Sequence, residues 1–290
     1  MTMIKRWWKL GLLLLIVALL GFWVYGLIAV RGTFAPFRSA EAAGGKVVAA
    51  GVPGHRMVGR VYVVGTPLPS APLIVVLHGD APFIHPGYQY QVAGDLARAV
   101  PGIRVVALMR PGYADAYGAR SDGDRGFASG DNYTASVVKD LAAAILALKQ
   151  QWGASAVFLL GHSGGAAVAA NIAAFNPGLV RHVFLAGCPC DVPAFRWHMA
   201  QWQWSPTWLL PVRSLSPLVT LERMDQGTDI TAISGADDPV TSPEYAQRYI
   251  AKAKARGISA SMLTLPNEGH EILDHATLIQ AVTQAVHDEH

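Results

Sequence analysis

Between positions 60 and 265 the sequence repeats one pattern: a short apolar run, then a longer stretch with other spacing. The runs fall at 60–64, 73–77, 105–108, 157–160, 183–185, 230–234 and 261–265. The second is Leu73, Ile74, Val75, Val76 and Leu77, with no polar face, so a strand made from it must be covered on both sides. Between the runs, 136–152 carries Val137, Val138, Leu141, Ile145 and Leu148 at i, i+3, i+4 spacing, which predicts an amphipathic helix. The Ala-rich 165–175 predicts another. Ser242, Pro243 and Glu244 give a cap residue, a proline at the first helical position and an acid near the positive helix end. Apolar strands alternating with helices imply an α/β fold, with a mostly parallel, doubly wound sheet between two helical layers. A length of 290 suits one large domain or two small ones, and 52% hydrophobic against 15% charged residues excludes a disordered chain.

The start of the chain obeys a different rule. Positions 10–30 hold no charged side chain, and as a helix they span roughly 30 Å, the thickness of a bilayer's hydrocarbon core. Trp7 and Trp8 before this run, and Trp23 and Tyr25 near its far end, suit the two membrane interfaces. A cleaved signal peptide shares the basic start, but its apolar region is usually about 7–15 residues, with a small-residue cleavage pattern soon after. The nearest such pattern, Ala40 to Ala42, comes well beyond the run. The expectation is a single-pass membrane anchor. Lys5, Arg6 and Lys9 on one side against Arg31 and Arg38 on the other place the N-terminus in the cytoplasm and the body outside it, in a periplasmic or extracellular space.

Residues 1–32 are thus expected as tip and anchor, the Gly- and Ala-rich 33–54 as a tether, and 55–290 as the catalytic body. Within the body, 191–225 is too long for a plain connection. It holds Trp197, Trp202, Trp204 and Trp208, half of the chain's eight tryptophans, and is expected as a lid over the carboxyl ends of the strands.

One motif carries chemistry. Gly161, His162, Ser163, Gly164 and Gly165 follow the 157–160 run directly and open the 165–175 helix. Strand, sharp turn and helix form the setting a nucleophilic serine needs, with glycines where the two backbones crowd. A serine hydroxyl is a poor nucleophile until a base takes its proton. Among ten histidines, His270 sits just after the last predicted strand, on the rim that carries Ser163. His162 adjoins Ser163 but points elsewhere on a tight elbow, and His275 falls in the following helix. An acid must then fix the imidazole's tautomer. Asp237 and Asp238 follow the 230–234 run, and Asp191 follows the run before it.

Together with His78 and Gly79 after the 73–77 run, and Arg110, Pro111, Gly112 and Tyr113 after the next, these motifs resemble the α/β-hydrolase superfamily over nearly everything beyond the anchor. The resemblance implies a triad in the chain order Ser163, Asp238, His270, with Asp237 and Asp191 as alternatives for the acid. It assigns the oxyanion-hole amides to Gly164 and Asp80. Aspartate departs from the family's glycine or apolar residue there, and its carboxylate would repel an oxyanion unless turned away or paired. His78 and the four tryptophans of the insertion are candidates for pocket and lid, whose apolar walls would select an apolar or aromatic acyl group. The activity implied is a serine hydrolase cleaving small carboxylic esters through an acyl-enzyme, with no metal or organic cofactor. An aminopeptidase, an amidase or an acyltransferase would use the same triad, and a binding protein of this fold would use only the pocket.

Other partners are excluded by charge. The formal net charge is +3, part of it ahead of the apolar run, which leaves no concentrated basic face for nucleic acid. Cys188 and Cys190 are too few for a disulfide scaffold or a four-cysteine zinc site. With no clustered histidine or acid beside them, they predict a local disulfide or two buried thiols.

Overall fold

A computed structural model describes residues 2–32, 45–81 and 84–289, with side chains in the first helix from Trp7 to Tyr25. Helix α1 (Thr2–Gly32) opens the chain and β1 (Lys46–Ala50) and β2 (Met57–Tyr62) follow. Then come β3 (Leu73–Leu77), α2 (Tyr88–Ala99), β4 (Arg104–Leu108), α3 (Ala135–Trp152), β5 (Val157–His162), α4 (Gly164–Phe175) and β6 (His182–Ala186). The insertion carries α5 (Val192–Trp202) and α6 (Pro217–Thr220), and the fold closes with β7 (Asp229–Gly235), α7 (Pro243–Ala255), β8 (Ala260–Leu265) and α8 (Ala276–Asp288).

The eight strands form one sheet in the order β1-β2-β4-β3-β5-β6-β7-β8. The first two run antiparallel, and β4 through β8 are parallel. All five side chains of β3 are buried, as a strand with no polar face requires. Alternate residues serve opposite layers. Ile74, Val76, Phe158 and Leu160 pack with Leu96 of α2 and Leu278, Val282 and Val286 of α8 in one core. On the strands' flanks α4 runs along β5 and β6, and α7 along β7 and β8.

The predicted helix signals act where they were read. The Thr134 hydroxyl accepts from the Val137 amide to start α3, and Ser242 caps α7 with Pro243 at its first position. Three expectations change. The tether's end, 45–54, contains β1, a half-exposed edge strand whose pairing with β2 its short apolar pattern did not announce, while 33–44 lies outside the described residues. Helix α2 was unforeseen, because Gln89 and Gly94 blur its spacing. His275 does not lie inside the last helix: it caps α8, its Nδ1 accepting from the Thr277 amide.

The chain divides into two compact units. One takes in α1 and residues 196–211. In α1, the stretch Trp7–Tyr25 has a mean hydropathy of 2.0 and is wholly exposed; it is long and apolar enough to cross a membrane, as an anchor or a signal sequence is. In 196–211, Arg196 donates to the Leu210 carbonyl (3.0 Å) and lies over the Trp208 ring, whose Nε1 donates to Gln203 (2.8 Å). The second unit holds the sheet, with Ser163, Asp238, His270 and Asp80.

Candidate active site

Because β5, β6, β7 and β8 are parallel neighbours, their carboxyl ends share one rim. Ser163 sits there at φ 52° and ψ −123°, between the last residue of β5 and the first of α4, with its amide donating to the Ala186 carbonyl (2.8 Å). A non-glycine residue at positive φ is strained, and surrounding structure must hold it. The glycines supply that hold. A Cβ on Gly161 would lie 2.3 Å from the Gly165 carbonyl oxygen, and one on Gly165 would lie 2.4 Å from that of His78, so strand and helix meet too closely for any side chain.

The loops after β7 and β8 bring an acid and a base together. His270 Nδ1 donates to Asp238 Oδ2 at 2.8 Å. Asp238 also accepts from the Val240 and Thr241 amides (2.8 and 2.9 Å) and from the Thr241 hydroxyl (2.7 Å), so its carboxylate is anchored from several directions. The other two acids lie elsewhere. Asp237 is exposed, and Asp191 pairs with Arg248 (3.0 Å). The His270 ring lies against Gly187, directly after β6, where a Cβ would meet it at 3.2 Å. Its Nε2 is buried and has no hydrogen-bond partner among the described residues. Ser163 Oγ and this nitrogen share the rim without a hydrogen bond between them; such contacts tighten when substrate binds.

The electrostatics follow from the same contacts. Burial alone pushes the His270 pKa down, but the hydrogen bond and charge of Asp238, with the charges of Glu271 and Asp80, hold it above the usual histidine value. Burial pushes Asp238 up, and the donors His270 and Thr241 outweigh it, so its carboxyl lies below the usual range. The pair is therefore an ionised acid holding an imidazole whose other nitrogen is buried and without a hydrogen-bond partner among the described residues.

Gly164 and Gly165 open α4, so their amides have no carbonyl behind them in the helix and sit at its positive end. Asp80 is neither turned away nor bare. Its carboxylate lies against Gly164, where a Cβ would meet Oδ1 at 2.4 Å, and it accepts from Arg110 (2.7 Å), the Gly130 amide (2.8 Å) and the Tyr133 hydroxyl (2.5 Å). His78 is a correction: it is fully buried and both ring nitrogens are engaged, Nδ1 donating to the Gly79 carbonyl (2.7 Å) and Nε2 accepting from the Arg110 amide (3.0 Å). Burial, then the Arg110 charge, push its pKa down to about 3, so it braces the loop after β3 as a neutral ring and lines no pocket. Trp208 is a second correction, buried inside the insertion, whereas Trp197, Trp202 and Trp204 are exposed. Cys188 and Cys190, both buried, form a disulfide immediately after Gly187. Sequence reasoning gave no role to Arg110, Tyr133, Thr241 or Tyr88. Only Thr241, three residues beyond Asp238, had a local signal.

A parallel sheet flanked by helices, with a strained serine at one strand end and an acid–base pair two loops away, defines the α/β-hydrolase class. A family model described as Serine aminopeptidase, S33 matches residues 70–230, more than half of the chain. The chain belongs to that family, within the α/β-hydrolase superfamily. No curated protein matches its sequence. Among solved structures it is similar to a puromycin-hydrolyzing peptidase of Mycobacterium tuberculosis (TM-score 0.65, 18% identity), over 87% of this chain and 40% of that one. It is also similar to an esterase of Pyrococcus furiosus (0.65, 15%, covering 88% and 96%) and to a proline iminopeptidase of Mycobacterium smegmatis (0.59, 13%, covering 84% and 98%). These likenesses are of fold, and the chain spans about two fifths of the length of the puromycin-hydrolyzing structures.

Proposed function

We propose that the chain hydrolyses carboxylic esters with apolar or aromatic acyl groups, through an acyl-enzyme on Ser163. His270 takes the Ser163 proton as the oxygen attacks the acyl carbon, and Asp238 keeps Nδ1 protonated and steadies the imidazolium. The amides of Gly164 and Asp80 hold the oxyanion, each donor being worth about 3 kcal/mol. His270 then protonates the leaving alkoxide, activates water, and the acid departs. The observation that carries this reading is the buried, unpartnered Nε2 of His270 on the same sheet rim as a serine held at φ 52°, with Nδ1 already committed to Asp238.

The choice of ester over aminopeptide rests on carboxylates. An enzyme that grips a substrate's free ammonium needs an acid to do so, and 192–221 contains no aspartate or glutamate. Asp238 and Asp80 are consumed by partners, and Glu271 is exposed, where an ion pair with a substrate ammonium adds little. In the same reading the insertion 191–225, which leaves the sheet at the carboxyl end of β6, serves as the lid. Residues 10–30 anchor the chain in a membrane with the body on the extracytoplasmic side.

A fluorophosphonate probe with peptide mapping, followed by p-nitrophenyl esters of increasing chain length and aminoacyl p-nitroanilides, tests the assignment. Label on Ser163 and turnover favouring apolar esters are expected; faster turnover of the free-amine anilides would move the enzyme to the aminopeptidases. The pH profile gives a second check. The base must be neutral to accept a proton, so kcat/KM falls as pH drops through the raised His270 pKa. Asp238→Asn removes the charge that raises it, and should move this acid limb to lower pH while lowering kcat about 10,000-fold. An acid limb that stays in place would show that His270 has another partner.

A further inference from the structure

His162 and Tyr88 take no part in the chemistry above, yet both are polar and they are in contact with each other. We propose that they are positioning residues, joining the oxyanion loop to the loop of the general base through one continuous, one-way line of hydrogen bonds. The proposal deepens the reading of His270 as base and the Asp80 amide as oxyanion donor, and rests on it.

The direction of the line is forced by its ends. His162 Nε2 lies 3.0 Å from the His270 carbonyl oxygen, which can only accept, so Nε2 carries the proton. Burial, then the neighbouring His270 charge, lower the His162 pKa, so the ring is neutral and its Nδ1 is a bare acceptor. The Tyr88 hydroxyl, 2.8 Å away, donates to that nitrogen. Its oxygen in turn accepts from the Gly79 amide at 2.5 Å, and an amide can only donate. No member can reverse without breaking the line.

Each end is a catalytic loop. Gly79 adjoins Asp80, and its Cα lies so near the nucleophile that a Cβ there would meet Ser163 Cβ at 3.0 Å and Tyr88 Oη at 3.2 Å. At the other end His162 holds the backbone of His270 and rests on its ring, with centroids 4.9 Å apart. The line thus passes from the β3 loop, through the residue before the serine, to the β8 loop. His162 is buried and Tyr88 half-buried, and polar side chains taken out of water are costly unless satisfied. Here the two residues satisfy each other and fix the spacing between oxyanion donor and base, and an error of about 1 Å in such spacing costs on the order of a hundredfold in rate.

The test compares Tyr88→Phe, His162→Phe, the double variant and His162→Gln in the full chain, on a p-nitrophenyl ester, with competent sites counted by fluorophosphonate titration so that unfolded molecules do not enter the rate. Each phenylalanine variant should lower kcat by about ten- to a hundredfold with KM within about twofold. The double variant should be no slower than the worse single one, since a line cut twice is still one line. His162→Gln, which keeps one donor and one acceptor, should recover most of the loss. Multiplying losses in the double variant, a loss confined to KM, or a glutamine no better than phenylalanine would overturn the proposal. Ser163→Ala run alongside separates the failures: if it stays active the triad is wrong, and if it is dead while the Tyr88 and His162 variants keep wild-type kcat, only the positioning line is wrong.

Discussion

Ser163→Ala should lower kcat on a p-nitrophenyl ester by about a millionfold and abolish fluorophosphonate labelling, while the thermal midpoint stays the same or rises. The size follows from the way a triad works. Nucleophile, base and acid act as one unit, so losing the nucleophile alone costs about as much as losing all three. What survives is the contribution of the oxyanion hole and of substrate binding, about 1,000- to 10,000-fold over water. Stability is spared because the backbone, not the hydroxyl, is fixed here. The Ser163 amide donates to Ala186, the closely packed glycines set φ, and an alanine at φ 52° is no more strained than the serine. Relief of a strained catalytic residue often raises stability. Labelling or turnover that persists in the alanine variant would mean the reactive serine lies elsewhere.

Arg110→Met should destabilise the fold by about 3–5 kcal/mol and lower kcat as well. Arg110 is 1% exposed and Asp80 5%, and the guanidinium donates to Asp80 at 2.7 Å between the rings of Tyr113 and Tyr133. Breaking a buried pair from one side leaves the other charge uncompensated, which is the expensive half of the interaction. The Tyr133 hydroxyl and Gly130 amide would remain on Asp80 but carry no formal charge. That bare carboxylate would lie against Gly164, where the oxyanion is proposed to form, so the ester's tetrahedral intermediate is repelled. Asp80→Asn should also destabilise, by stranding the guanidinium. The double variant, with neither charge, should be more stable than the sum of the two losses predicts. Urea unfolding of the four proteins reads the coupling directly. Additive losses would show that Arg110 and Asp80 stabilise the fold independently.

The arginine illustrates where sequence reading stops. Arg110 stood in a motif that could be quoted but not explained, because its partner is thirty positions away, after another strand. The need for a partner was legible: an aspartate at an oxyanion loop had to be turned away or neutralised. Which cation supplies the neutralisation depends on β3 and β4 being neighbours in the sheet, and no local pattern states that. His78 failed for a related reason. A histidine at a strand end reads equally well as pocket wall or brace, and only its complete burial between Gly79 and Arg110 decides. Trp208 is like the other insertion tryptophans in sequence, and only its contacts with Arg196 and Gln203 set it apart.

The amino-acid order alone determined seven of the eight strands of the sheet, the elbow and the span long enough to cross a bilayer, because each depends on neighbours within a few positions: side-chain period, glycine at a crowded turn, an unbroken apolar stretch. Tertiary structure alone decided which acid meets His270, which cation answers Asp80, and that Tyr88 and His162 lie between two loops. Those are contacts between residues 30 to 108 positions apart, made only when the strands pair in register and the chain's loops are delivered to one rim.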